Sequence, residues 1–210
     1  MSVPFKQILK SEEEIRDIVG FSSEVVKQKA IHHLDKHCRD FIAMSPLLFL
    51  STSDEYGHCD VSPRGDASGS VLILNDHYLV IPERPGNRRI DSIRNLLTNP
   101  HVGLLFIIPG LKETLRVNGR AYVIKDDEIL EQMTAHDKKP LLCIAVEVEE
   151  CFIHCAKAFM RSGVWDSTTW QAEEHLPSVP TILAAHVNSN EFTAEVIAEG
   201  LQISYEKRLY

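Results

Sequence analysis

VLILNDHYLVIPERPGNRRIDSIRNLLTNPHVGLLF, residues 71–106, carries the pattern that decides the fold. Val71–Leu74 and His77–Pro82 are apolar runs separated by Asn75–Asp76, a hairpin signal weaker than Asn-Gly. Residues 88–98 read as a short helix with Ile90, Ile93, Leu96 and Leu97 on one side, closed by Asn99–Pro100. His101–Ile108 then reads as a buried strand. A hairpin, one short helix and another strand follow one another with little connecting chain.

Working outward, Pro109–Gly110 is a turn, and Glu113–Ile124 alternates. Leu115, Val117, Gly119, Ala121 and Val123 share one face, with Thr114, Arg116, Asn118 and Arg120 on the other. Residues 126–135 predict a helix and Leu141–Val148 a strand. Upstream, Ile31, Leu34, Cys38, Phe41 and Ile42 recur at helical spacing and predict one helix over 25–45, stopped by Pro46. Leu47–Ser53 and Cys59–Ser62 read as strands on either side of the turn Asp54–Gly57. Downstream, 156–162 predicts a helical turn and 191–206 a helix.

At least six strands joined mostly by short turns imply an antiparallel sheet closed toward a barrel. The expected class is mainly β with flanking helices. Without βαβ alternation, a Rossmann arrangement is disfavoured. No repeat or flexible linker interrupts the sequence. The expectation is a single domain over 1–210, with an N-terminal helical segment at about 12–45 and a C-terminal helical extension at about 155–210.

With 210 residues and 44% hydrophobic content the chain can bury a complete core. No apolar run approaches the roughly 18–20 residues needed to cross a bilayer, and the polar start Met1–Glu14 lacks a secretory apolar region. Cys38, Cys59, Cys143, Cys151 and Cys155 are odd in number and fit no disulfide framework, which points to a reducing compartment, the cytoplasm. A net charge of −8 argues against nucleic acid and anionic membranes as partners. Yet Arg84–Arg120 holds seven basic residues against two acidic ones, a local setting for a small anion.

Within that patch, Pro85–Gly86–Asn87–Arg88–Arg89 is the sharpest clue. Asn87 is a suitable N-cap, which would place Arg88 and Arg89 in the first helical turn. Cations there oppose the helix dipole, a conflict removed by a bound phosphate that accepts backbone N–H bonds and pairs with both guanidinium groups. The competing reading is two solvated arginines. The polar face of Thr114–Arg120 could line the same groove, and Cys59–Asp66 offers Ser62, Arg64 and Gly65 to a planar ligand. The Arg64–Gly65–Asp66 triplet matches an adhesion motif by chance. His32, His33, His37 and Cys38 have no companion carboxylate or Cys-x-x-Cys, so no metal site is expected.

Residues 62–121 resemble the pyridoxamine 5′-phosphate oxidase-related, FMN-binding split-barrel family, through SPRGD (62–66), the 71–106 stretch and ETLRVNGRA (113–121). They are similar in particular to a bacterial subgroup of uncertain substrate, which CAKAFMRSGVWD (155–166) also resembles. The resemblance implies an antiparallel, Greek-key-like split barrel and a homodimer with FMN at the interface. It implies an oxidoreductase transferring hydride through flavin N5 to or from a small molecule. By position it places Arg88 and Arg89 on the FMN phosphate, Asn87 before them and Arg64 as a further basic contact. It places Ser62 and Ile81–Pro82 along the flavin and ribityl groups, Thr114 where the oxidase proper has a glutamine, and Arg116 on the same strand. Lys157, Arg161 and Trp165 would approach from the partner subunit. The oxidase proper ends in an Arg-Leu-x-Pro type segment, whereas this chain runs through a helix to Glu206–Tyr210, a departure that speaks against vitamin B6 chemistry and less against FMN binding. The fold also admits two other readings: a non-catalytic flavin or haem carrier, and a deazaflavin-dependent reductase.

Overall fold

The computed structural model describes residues 4–210. Three helices lead in: α1 (Glu12–Val19), α2 (Glu24–Gln28) and α3 (Lys36–Met44). The strands β1 (Leu47–Ser53), β2 (Cys59–Gly65), β3 (Leu72–Ile73) and β4 (Tyr78–Pro82) follow. Next come α4 (Asp91–Thr98), β5 (His101–Ile107), β6 (Thr114–Ile124), α5 (Asp127–Gln132) and β7 (Cys143–His154). The last helices are α6 (Lys157–Ser162), α7 (Val179–Val187) and α8 (Ala194–Lys207).

The strands form one antiparallel sheet in the order β2-β1-β5-β6-β7-β4-β3. The alternation read along Thr114–Ile124 is realised at its centre. Leu115, Val117 and Ala121 are buried and join Leu50, Leu104, Phe106, Ile144 and Val146 in the main core. Each of these side chains larger than alanine contributes about 1.5–3 kcal/mol on burial. Leu34, Cys38 and Ile42 cover one side of that core. A smaller cluster joins Val80, Leu130, Met133 and Cys143. Helix α4 is tied to β1 by side chains: Asn95 Nδ2 donates to Thr52 Oγ1 (2.9 Å) and Asn99 Nδ2 to Ser53 Oγ (2.9 Å).

The structure corrects four sequence expectations. The single helix over 25–45 is two helices with an extended break. Ile31 donates its N–H to Cys151 O (3.0 Å) and accepts from Cys151 N–H (2.7 Å), and Asp35 then caps α3 by accepting from Cys38 N–H (2.8 Å). The apolar spacing misleads because Leu34, in the extended break, and Cys38, in α3, both reach the core. The short helix begins at Asp91 rather than after Asn87, because Arg88 and Ile90 both take left-handed backbone angles (φ 61° and 54°). The strand expected over 141–148 runs on to His154, paired with β6 as far as Thr114. Helix α7, absent from the sequence reading, precedes the expected α8.

The longer β7 depends on one glycine. The ladder pairs Asn118 with Glu150 and Gly119 with Val148, so β7 carries one extra residue, a β-bulge. A Cβ at Gly119 would lie 2.0 Å from Glu147 O, a backbone atom that cannot step aside. Gly119→Ala is therefore expected to cost about 3 kcal/mol, read as a lowered urea midpoint. Gly200→Ala in α8, with nothing within 4 Å of the new Cβ, should instead gain about 0.5–1 kcal/mol from helix propensity.

Candidate functional site

Strands β2 and β4 have four strands between them in the sheet order and share no ladder. Side chains nevertheless join them. Arg64 near the end of β2 is ion-paired through Nη1 with Glu83, the residue after β4. Arg84 Nε donates to Asp66 Oδ2 (2.7 Å), and Arg84 Nη2 donates to Met133 O (2.9 Å). The four side chains are 6–24% exposed. The sheet therefore curls until its two sides meet, and this seam is closed by charge rather than by backbone pairing.

Polar groups from α4 extend the seam. Arg64 Nη2 donates to Ser92 Oγ (3.3 Å), Ser62 Oγ lies 3.0 Å from Ser92 Oγ, and Ser92 is hydrogen-bonded to Asp60. Arg64 Nε is left over: it is buried and has no hydrogen-bond partner among the described residues. Burial pushes the Glu83 carboxyl above its ordinary pKa, more than the Arg64 guanidinium pulls it down. Burial also pushes the Asp66 carboxyl up, but hydrogen bonds from Arg84, Ala67 N–H and Tyr210, with the charge of Arg84, outweigh it and hold Asp66 below the usual range.

The loop leaving the seam is Pro85–Ile90. Asn87 Oδ1 accepts from Arg89 N–H (3.0 Å), so Asn87 shapes the loop and caps no helix. Arg88 is exposed and makes no ion pair among the described residues. Arg89 Nε donates to Asp91 Oδ2 (2.7 Å). Because both arginines precede α4 and Asp91 stands in its first turn, the dipole conflict read from the sequence does not arise. An isoleucine at positive φ is a sterically costly placement, held here at the start of α4. Beside the loop, His58, Cys59, Asp60, Arg89, Arg94 and neighbouring residues line an open cleft of about 390 Å³.

The remaining expected residues divide. Ile81 and Pro82 are buried in β4, so only their main chain can face a ligand; β3 pairs β4 at Leu79 and Val80 alone and leaves that edge open. Thr114 is 2% exposed and its hydroxyl belongs to the interior. Arg116 is exposed on β6, its Nε bonded to Asn118 Oδ1 (3.2 Å) and its guanidinium 5.7 Å from the Phe152 ring. Lys157 and Arg161 are exposed on α6. Trp165 Nε1 donates to Leu111 O (2.9 Å) and its ring stacks on Phe159. No hydrogen bond or ion pair joins this second group to the seam among the described residues.

Sequence reading missed Glu83, Asp66, Ser92 and Tyr210 as members of the site. Separations of 18 to 144 residues between partners leave no local signal for them. The Arg64–Gly65–Asp66 triplet is engaged within the chain at both charged ends, so it presents no adhesion surface. Among the described residues no helix is long and apolar enough to cross a membrane.

The family described as Pyridoxamine 5′-phosphate oxidase matches residues 34–155, more than half of the chain and every strand of the sheet. The chain belongs to this family. The seven-stranded antiparallel sheet with flanking helices is thus the split barrel of the pyridoxamine 5′-phosphate oxidase family. No curated protein matches the chain. HupZ of Group A Streptococcus is similar in structure at 19% identity over 57% of this chain and 92% of its own (TM-score 0.45). An FMN-binding protein of Syntrophomonas wolfei is similar at 12% identity over 56% and 88% (TM-score 0.41). HutZ, the haem storage protein of Vibrio cholerae, is similar at 18% over 58% and 93% (TM-score 0.40). Likenesses of this size assign no ligand.

The seam makes a pH-dependent contribution. Folding lowers the Asp66 pKa, so the folded state binds that proton less readily than the unfolded chain. The stabilisation is complete above the unfolded carboxylate value and is lost as pH falls through the lower folded value. Asp66→Asn should cost about 2 kcal/mol at neutral pH. In urea denaturation at stepped pH, its deficit against wild type should shrink on acidification below the ordinary carboxylate range.

Proposed function

We propose that this member of the pyridoxamine 5′-phosphate oxidase family is an FMN-binding oxidoreductase that works as a homodimer, with the FMN phosphate at the seam. The observation that carries the reading is the buried, unpartnered Nε of Arg64. A buried donor without an acceptor costs about 1–3 kcal/mol, and a phosphate oxygen is the acceptor that suits a guanidinium. Arg88, without an ion pair among the described residues, stands on the loop that leaves the same seam, and Arg89 is paired with the part-buried Asp91. This donor set fits a phosphate dianion.

In this reading Arg64 holds the phosphate through Nε while its other nitrogens stay on Glu83 and Ser92. Arg88 and Arg89 add charge, and Asn87 sets the loop. Ser62 and the main chain of Ile81–Pro82 border the rest of the ligand. Arg116, Lys157, Arg161 and Trp165, which no hydrogen bond or ion pair joins to the seam among the described residues, close the site from a second copy. Bound FMN would supply hydride chemistry at N5. The protein residues position it, exclude water and present positive charge. The substrate is a small molecule. The five thiols, all free, suit a reducing compartment, the cytoplasm.

The purified protein should show flavin absorption bands and release FMN on heating, and should run as a dimer by light scattering. Replacing Arg88 and Arg89 together by alanine should weaken FMN binding about a hundredfold. Riboflavin, which lacks the phosphate, should bind both proteins equally. Wild-type FMN affinity in the double variant would refute the phosphate assignment.

A further inference from the structure

Helices α7 and α8 pack on each other, and neither holds a buried residue. Yet the chain after α8 returns to the barrel and ends its path at the seam. Tyr210 OH donates to Asp66 Oδ1 (2.9 Å), and the Tyr210 main-chain oxygen accepts from Lys138 Nζ (2.6 Å). The ring lies 4.3 Å from the His136 ring, with the Arg84 guanidinium 5.9 Å from its centroid. Among the described residues, every hydrogen bond and aromatic contact between 176–210 and the barrel runs through this one side chain and its main-chain oxygen.

Two of the residues it touches, Asp66 and Arg84, close the seam. Asp66, 6% exposed at its side chain, takes the Tyr210 phenol on one oxygen and Arg84 on the other. Arg84 in turn leads directly into Pro85, whose fixed φ limits how far the following loop can move independently of it. That loop carries Arg88 and Arg89, and Glu83 on its other side holds Arg64. A group that fixes Asp66 and Arg84 from the outside thus fixes the arginines on both sides of the phosphate site.

We propose that Tyr210 is a positioning residue for this site, a latch that fastens the α7–α8 hairpin onto the Asp66–Arg84 pair and so sets the arginine loop. The proposal rests on the flavin-phosphate reading for its ligand, and on the contacts above for the latch itself. It assigns the C-terminal extension a role in the site. The ring and the hydroxyl contribute separately: the tilted contact with the His136 ring places the side chain, and the bond to Asp66 transmits its position to Arg84.

The test uses the full chain with Tyr210→Ala and Tyr210→Phe, read by hydrogen–deuterium exchange without flavin and by titration with FMN and riboflavin. Tyr210→Ala should raise exchange over 83–90 and weaken FMN about tenfold, with riboflavin affinity unchanged. Tyr210→Phe, which keeps the ring but loses the Asp66 bond, should fall between. Unchanged exchange over 83–90 in Tyr210→Ala would overturn the latch, and equal weakening of FMN and riboflavin would reduce it to a general structural contact. If the wild-type protein takes up no FMN, the functional reading falls by itself. The exchange measurement still decides the latch, increased exchange supporting it and unchanged exchange overturning it.

Discussion

The pair of ion pairs Arg64–Glu83 and Asp66–Arg84 is the constraint on which the site depends. The sheet brings β2 and β4 together without a ladder, so nothing in the backbone sets how the two sides meet. The charges do. Joining Arg64 to Arg84, or Asp66 to Glu83, would place like charges together in a half-buried setting, so one alignment of the seam is favoured over its neighbours. Such pairs add little net stability over apolar packing, yet breaking one leaves an uncompensated charge. Their effect is on geometry, and the geometry they fix is that of the loop after β4.

On the proposed reading, this makes part of the basic patch a phosphate site despite an acidic chain. Of the cations between Arg84 and Arg120, Arg84 is committed to the seam and Arg89 is paired with Asp91, while Arg88 takes a left-handed backbone angle. Arg64, which lies outside that run in sequence, brings the buried donor. The site is an excess of guanidinium hydrogen-bond capacity over the acceptors the chain provides.

The β-bulge opposite Gly119 contributes at a distance. It lets β7 remain paired with β6 through to His154, level with Thr114, and α6 and Trp165 follow from that end. Ile31, bonded to Cys151 on the same strand, ties the N-terminal helices to it. The second group of expected residues lies beside or follows this long strand, and among the described residues no hydrogen bond or ion pair joins it to the seam; the proposed two-copy site is built on that.

Periodicity alone determined much of this protein. The strict alternation over Thr114–Ile124 fixed a half-buried strand, and the short apolar runs with turns between them fixed an antiparallel sheet. The motif runs from Ser62 to Ala121 identified the family. These features are local, carried by residues within one or two turns of chain. The break at Ile31, the late start of α4 at Asp91 and the extension of β7 were decided by partners far away in sequence: a backbone bond to Cys151, two left-handed residues, a bulge facing Gly119. The seam and its latch belong to the same class. Nothing near Asp66 in sequence announces Arg84 or Tyr210, because ion pairs and hydrogen bonds across a closed sheet depend on distance in space, which only the folded chain sets.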